Sequence, residues 1–106
     1  MGLFDFLKTS DINQGAEEQA SVAGSILLDV RTPEEYRGGH LPESRNLPLQ
    51  NIEEIAGLAA DRNTPIYTYC LSGARSSQAT ALLKRMGYQK VKNIGGINQW
   101  YGRMEK

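Results

Sequence analysis

Two stretches of this chain, Ser25-Ile26-Leu27-Leu28-Asp29-Val30 and Pro65-Ile66-Tyr67-Thr68-Tyr69, are apolar almost without interruption for the length of a short strand. A strand with no polar face has to be covered on both sides, which is the situation of a parallel sheet between layers of helix. The segments around the two runs supply those layers. Ala79, Leu82, Leu83 and Met86 recur at helical spacing within 76–86, Lys84 and Arg85 suit the last turn, and Gly87 is placed to close it. Ile52, Ile55, Ala56 and Ala59 make another helical stripe, with Asn51 as its expected cap and Glu54 reaching back. Asp11 or Asn13 is expected to cap a helix over 16–22, with Glu17 and Glu18 in its first turn and Gly24 at its end. Thr32-Pro33 opens a short helix over 34–36. Further short strands are expected at 46–48 and 91–94, and an edge strand near 7–10. Gly95-Gly96 reads as a turn, followed by a helix over 97–103 with Trp100 as a core anchor. Strands alternating with helices give an α/β fold: three layers, a mainly parallel sheet, helices on both faces. The order of the strands is not set by this pattern.

A length of 106 residues fits one domain, 1–106, with 1–10 as an apolar extension or edge strand. Lys plus Arg equal Asp plus Glu at 12 each, so the net charge is zero and no basic excess marks a nucleic-acid binder. The amino-terminal stretch Met1-Gly2-Leu3-Phe4-Asp5-Phe6-Leu7 lacks a basic leader and carries Asp5, unlike a signal peptide. No run has transmembrane length. The expectation is a cytoplasmic protein that meets neither nucleic acid nor membrane, as a monomer or weak dimer. The one cysteine allows no internal disulfide, no multi-cysteine metal site and no resolving thiol.

That cysteine, Cys70, stands where the second apolar run stops and a helix begins, in Cys70-Leu71-Ser72-Gly73-Ala74-Arg75. Backbone N–H groups at such a junction lack helical partners, and the helix dipole adds positive potential. Both lower a thiol pKa and favour the thiolate. Gly73 lets the backbone turn back on the sulfur, and Arg75 adds a fixed charge and a fork of donors suited to an anion. A cysteine after an apolar strand is more often a small buried hydrophobe. Gly73 and Arg75 tip the reading toward a nucleophile, with Leu71, Ser72, Gly73, Ala74 and Arg75 as its binding loop. Asp29 and Arg31 leave the first run at the sheet's carboxyl edge, where ligand crevices of open α/β sheets lie. They are read as supporting residues, Arg31 pairing with Glu34 or Glu35 to pin its loop. His40, the single histidine, sits in the turn Gly38-Gly39-His40-Leu41-Pro42 and is expected to bond to backbone there; a thiolate needs no separate base.

Cys-x-x-Gly-x-Arg after a strand, Leu28-Asp29-Val30-Arg31 before it and Gly95-Gly96-Ile97-x-x-Trp100 after it together resemble a rhodanese domain over roughly 25–101. Each motif alone is weak, but the ordered set is specific. Gly39-His40-Leu41-Pro42 and Asn46-Leu47-Pro48 resemble the family's Gly-His-Ile-Pro-Gly-Ala-x-Asn-Ile-Pro, except that Glu43-Ser44 replaces Gly-Ala. The resemblance implies the rhodanese fold and a sulfurtransferase whose cysteine, here Cys70, carries a persulfide. It implies a small anionic sulfur donor such as thiosulfate, a thiol, protein or cyanide acceptor, and no metal or organic cofactor.

Two other functions compete. Phosphatases and arsenate reductases of the Cys-x5-Arg type have one more residue in the loop, which wraps a tetrahedral oxyanion. The four residues here suit a single sulfur better, and no aspartate stands in the loop as a general acid. The other is a sulfur carrier or interaction module with little turnover. Leu71 and Ala74 bring no charge to the cysteine, so thiosulfate is expected to be a poor or surrogate donor.

Overall fold

The computed structural model describes residues 11–106. The edge strand expected near 7–10 lies outside them. Four strands, β1 (Ile26–Asp29), β2 (Arg45–Asn46), β3 (Ile66–Cys70) and β4 (Val91–Gly96), form one parallel sheet in the order β2-β1-β3-β4. Helices α1 (Ile12–Ser21), α2 (Pro33–Arg37) and α3 (Ala74–Arg85) and a 3-10 segment, Leu49–Gly57, connect them.

The two central strands are covered on both sides, as their composition requires. Alternate residues of β1 and β3 point to opposite faces. Leu28, Ile66 and Cys70 join Ile52, Ile55, Ala79, Leu83 and Tyr88 in one core, beneath the 3-10 segment and α3. Leu27, Tyr67 and Tyr69 join Ile12, Leu41 and Ile94 in the other, beneath α1, with Trp100 packed at its edge. The three-layer α/β architecture is therefore present.

Several boundaries differ from the sequence reading, each for a local reason. Helix α1 starts at Ile12, capped by Asp11, whose side chain accepts from Asn13 N–H. It runs through Gly15 because a Cβ there would lie 2.4 Å from Ile94 Cβ, so glycine lets the helix approach β4. Segment 49–57 is 3-10, it begins after Pro48, and Asn51 sits at a kink outside helical geometry, its Nδ2 3.5 Å from Glu54 Oε2. With three residues per turn, Ile52 and Ile55 stay buried while Ala56 is exposed. The short strand falls at 45–46, not 46–48.

The expected last helix is one 3-10 turn, Ile97–Gln99. Asn13 intervenes: its Nδ2 donates to Gln99 O at 2.9 Å and its Oδ1 accepts from Tyr101 N–H at 3.2 Å, drawing off a helical donor. The chain then continues extended, and Glu105 exchanges backbone hydrogen bonds with His40, both at 2.9 Å. Glu43, where the family has glycine, takes the left-handed conformation (φ 66°), so the turn keeps its shape with a side chain in place.

Candidate active site

Cys70 is the last residue of β3, and the apolar register that builds the sheet places it at the carboxyl edge beside the start of α3. Its neighbour on β4 is Gly96, with the register slipping between Thr68 and Cys70. This irregularity, with Gly95 at φ 108°, re-aims the strand end beneath the cysteine loop. Gly95-Gly96 is thus strand and floor, not a free turn. A Cβ on Gly96 would sit 2.3 Å from Leu71 O and 2.6 Å from Ser72 Cα. The loop can lie against β4 only because no side chain intervenes. Asn98 N–H holds it there, donating to Leu71 O at 3.1 Å.

Gly73, at φ 104°, turns the backbone so that its N–H donates to Cys70 Sγ at 3.0 Å. Ser76 N–H donates from 3.4 Å and the Ser76 hydroxyl lies 3.5 Å from the sulfur. Cys70 is 1% exposed. Burial pushes its thiol up, but the Ser76 hydroxyl and the N–H groups of Ser76, Gly73 and Ser72 outweigh burial and hold it below the ordinary value. Among the described residues, the groups that favour the thiolate by touching the sulfur are hydrogen-bond donors rather than cationic side chains.

Behind the loop stands Asn93 on β4. Its Nδ2 donates to Gly73 O at 3.2 Å, and its Oδ1 accepts from Gly95 N–H at 3.0 Å and from the Ser76 hydroxyl at 2.7 Å. Buried Thr68, on β3, ties the first turn of α3 down through Ser76 O at 3.3 Å and Thr80 Oγ1 at 2.8 Å.

Arg75 is engaged away from the sulfur. Its Nη1 and Nη2 meet Glu35 Oε1 and Oε2 at 2.8 and 3.0 Å. The Arg75 fork is the main reason the Glu35 carboxyl falls to about 2. The expected pairing of Arg31 with Glu34 or Glu35 is therefore corrected. Arg31 turns back on Asp29, with Nη2 to Oδ2 at 2.7 Å and Nε to Oδ1 at 3.0 Å, and also donates to Gly39 O at 2.7 Å. Both residues are buried, where an ion pair needs all its hydrogen bonds met. Asp29 and Arg31 pin the β1 edge to the turn at 39. His40 is stacked on Tyr36, with ring centres 3.7 Å apart and Nδ1 2.8 Å from Tyr36 O. It is the backbone-bonded histidine its setting suggests.

Of the loop residues named from sequence, Gly73 reaches the sulfur directly and Ser72 contributes through its N–H. Leu71 is 47% exposed at the rim. Ala74 begins α3. Ser72 and Gly73 line a polar cleft of about 790 Å³ with Asn93, Gly95 and Gly96, whereas Arg75 lines a separate cleft with Val30, Thr32 and Gln50. Ser76 and Asn93 were not singled out from sequence, and Glu35 was named only as a partner for Arg31. The one signal for Ser76 was its place in the first turn of the helix after the cysteine; Asn93 and Glu35 come from distant segments.

A parallel α/β sheet with a cysteine cradled by N–H donors at a strand–helix junction defines a site for a nucleophilic thiol. Residues 10–103 match the rhodanese-like domain, and the chain belongs to that family. It is 41% identical over 71 residues to thiosulfate sulfurtransferase PspE of Escherichia coli, covering 66% of this chain and 68% of that protein. It is 30% identical over 95 residues to thiosulfate sulfurtransferase GlpE of Stutzerimonas stutzeri, covering 86% of each. A rhodanese from E. coli solved with anions superposes with a TM-score of 0.72 at 36% identity, over 77% of this chain and 98% of that one. The BH2092 protein of Bacillus halodurans gives 0.76 at 29% identity, over 96% and 80%. These relatives support a sulfurtransferase of the rhodanese type. Among the described residues, no helix is long and apolar enough to cross a membrane.

Proposed function

We propose that the protein moves a sulfane sulfur through a persulfide on Cys70, taking it from thiosulfate or a persulfide donor and passing it to a thiol or cyanide. The Cys70 thiolate attacks the donor's outer sulfur, a new S–S bond forms, and the donor's S–S bond breaks with its electron pair leaving on the carrier. Sulfite leaves when thiosulfate is the donor. The acceptor then attacks the outer sulfur of Cys70, its bond to that sulfur forms, and Cys70 departs as thiolate. This is covalent catalysis by an activated nucleophile.

The observation that carries the reading is the convergence of Gly73 and Ser76 N–H groups on Cys70 Sγ. Fixed donors of this kind stabilise the thiolate that attacks and the persulfide anion that follows. Leu71, Ser72, Gly73 and Ala74 form the loop that receives the donor, Arg75 closes it while bound to Glu35, and Asp29 and Arg31 support the neighbouring β1 edge. With one cysteine, the acceptor thiol belongs to another molecule. The test is intact mass: thiosulfate or a persulfide should add one sulfur atom to the protein, cyanide should remove it as thiocyanate, and Cys70→Ser should do neither. Thiocyanate production by Cys70→Ser would end the proposal.

A second reading, a sulfur carrier with little turnover, is favoured by the 1% exposure of Cys70. It expects stoichiometric loading in the mass experiment but few turnovers with cyanide.

A further inference from the structure

The arginine nearest in sequence to the nucleophile is not free to meet an anionic donor. Glu35 Oε1 accepts from Arg75 Nη1 at 2.8 Å and from Thr32 N–H at 2.9 Å, and Oε2 accepts from Arg75 Nη2 at 3.0 Å. Thr32 Oγ1 in turn accepts from Glu35 N–H at 3.2 Å, closing a reciprocal cap on α2. The carboxylate is thus fixed by its own helix before it meets Arg75, so little freedom is lost in making the fork-to-fork pair. Arg31 is likewise matched by Asp29. The polar cleft beside Ser72 and Gly73 is lined by Asp11 and, among the described residues, by no lysine or arginine.

The charge count bears on which donor can react. Thiolate attack on thiosulfate gathers three negative charges around one sulfur. Attack on a persulfide anion R–S–S⁻ or a thiosulfonate gathers two. Among the described residues, only N–H dipoles and the Ser76 hydroxyl touch the sulfur to offset them.

We propose that Glu35 determines donor specificity: by clamping Arg75 it leaves the Cys70 cradle without a free cation among the described residues and selects singly charged sulfur donors, persulfides of small or protein thiols, over the thiosulfate dianion. This rests on the sulfurtransferase reading and names its donor class. In the favoured step Cys70–S⁻ bonds to the outer sulfur of R–S–S⁻, the donor's S–S bond breaks, and R–S⁻ leaves with its electron pair. Cys70–S–S⁻ remains, so charge and atoms balance without an oxidant. Glu35 touches no reacting atom and acts through Arg75.

Thiosulfate and methanethiosulfonate test this, because they deliver the same sulfur and differ by one charge. With cyanide as acceptor, kcat/KM for each is measured in wild type, Glu35→Gln and the double variant Glu35→Gln/Arg75→Gln. Releasing one cation should shift the thiosulfate-to-methanethiosulfonate ratio toward thiosulfate by roughly five- to tenfold in Glu35→Gln, mostly through KM. The gain should shrink as salt is added, and Arg75→Gln in the same background should abolish it. The ratio is an internal control, since a merely loosened loop slows both donors alike. A ratio within about twofold of wild type, or a shift that survives Arg75→Gln, overturns the inference. If neither donor places sulfur on wild-type Cys70 by intact mass, the sulfurtransferase reading fails and the inference with it. If both load and the ratio does not move, the inference alone fails.

Discussion

Asn93 Oδ1 and Cys70 Sγ compete, along with Gly73 O, for one proton, that of the Ser76 hydroxyl, which lies 2.7 Å from the amide oxygen, 3.1 Å from Gly73 O and 3.5 Å from the sulfur. The shorter contact holds the hydroxyl when Cys70 is a neutral thiol. Ionisation of Cys70 makes the sulfur a charged acceptor, and hydrogen bonds to charged groups are the stronger kind. A donor on α3, held in reserve by Asn93 of β4, can therefore turn to the sulfur when the nucleophile forms, with no main-chain movement.

Removing that hydroxyl should raise the thiol pKa, because a donor to the charged form is lost. Ser76 N–H and Gly73 N–H remain, and the 3.5 Å contact is long, so Ser76→Ala is expected to move the midpoint upward without removing the effect of the two N–H groups. The rate of iodoacetamide alkylation of Cys70 against pH reads this directly. Coincident curves for the two proteins would show that the hydroxyl stays with Asn93 throughout.

Gly96 is constrained by space, not by its dihedral angles (φ −122°). The atoms its Cβ would strike, Leu71 O and Ser72 Cα, are main chain of the cysteine loop and cannot rotate away. Gly96→Ala should cost about 1–3 kcal/mol in urea denaturation and displace the loop, so that sulfur loading falls further than stability does. Gly57→Ala is the control: nothing lies within 4 Å of its Cβ, and a gain of about 0.4–1 kcal/mol is expected. Normal loading in folded Gly96→Ala would mean the loop tolerates lifting off β4.

The sheet was legible because β1 and β3 are buried on both faces and their residues say so. The cysteine was legible because Gly73 follows it at a strand–helix junction. What could not be read was set by contacts far apart in sequence. Arg75 looked free because Glu35 is 40 positions away. The first helix was expected only from 16, and its passage through Gly15 was not legible because Ile94, which needs the space, is on β4. Gly95-Gly96 looked like a turn because the loop resting on it is folded from 71–73. The last helix ended early because Asn13, from α1, takes its hydrogen bonds.

Glu43 holds a left-handed conformation (φ 66°) that favours glycine. Steric crowding of Cβ there costs roughly 1–2 kcal/mol, while glycine gives back part of that through a freer unfolded chain. Glu43→Gly should therefore stabilise the protein by about 0.5–1 kcal/mol net. The backbone bond from its N–H to Glu105 Oε1 at 3.3 Å survives the change. Thermal or urea unfolding measures the gain, and since the turn at 43 is not part of the cysteine loop, sulfur loading should be unaltered. A loss of stability would show that the Glu43 side chain makes a contact worth more than the strain.

The Glu35–Arg75 pair should leave its mark on acid unfolding. Glu35 falls from an ordinary 4.5 to about 2 in the folded protein, chiefly through the Arg75 fork, with burial opposing and the Thr32 N–H assisting. A depressed folded-state pKa contributes stability that is fully present above the unfolded value and is lost as pH falls through the folded one. The window is therefore from about 4.5 down to about 2. Both side chains are about a third exposed, at 34% and 31%, so salt should weaken the effect. Glu35→Gln keeps a Thr32 acceptor but has no carboxyl to protonate. Urea midpoints of wild type and Glu35→Gln should differ most near neutral pH and converge as pH falls through that window, with the gap narrower in high salt. A gap that stays constant from pH 7 to pH 2 would place the role of Glu35 in its cap on α2 and not in its charge.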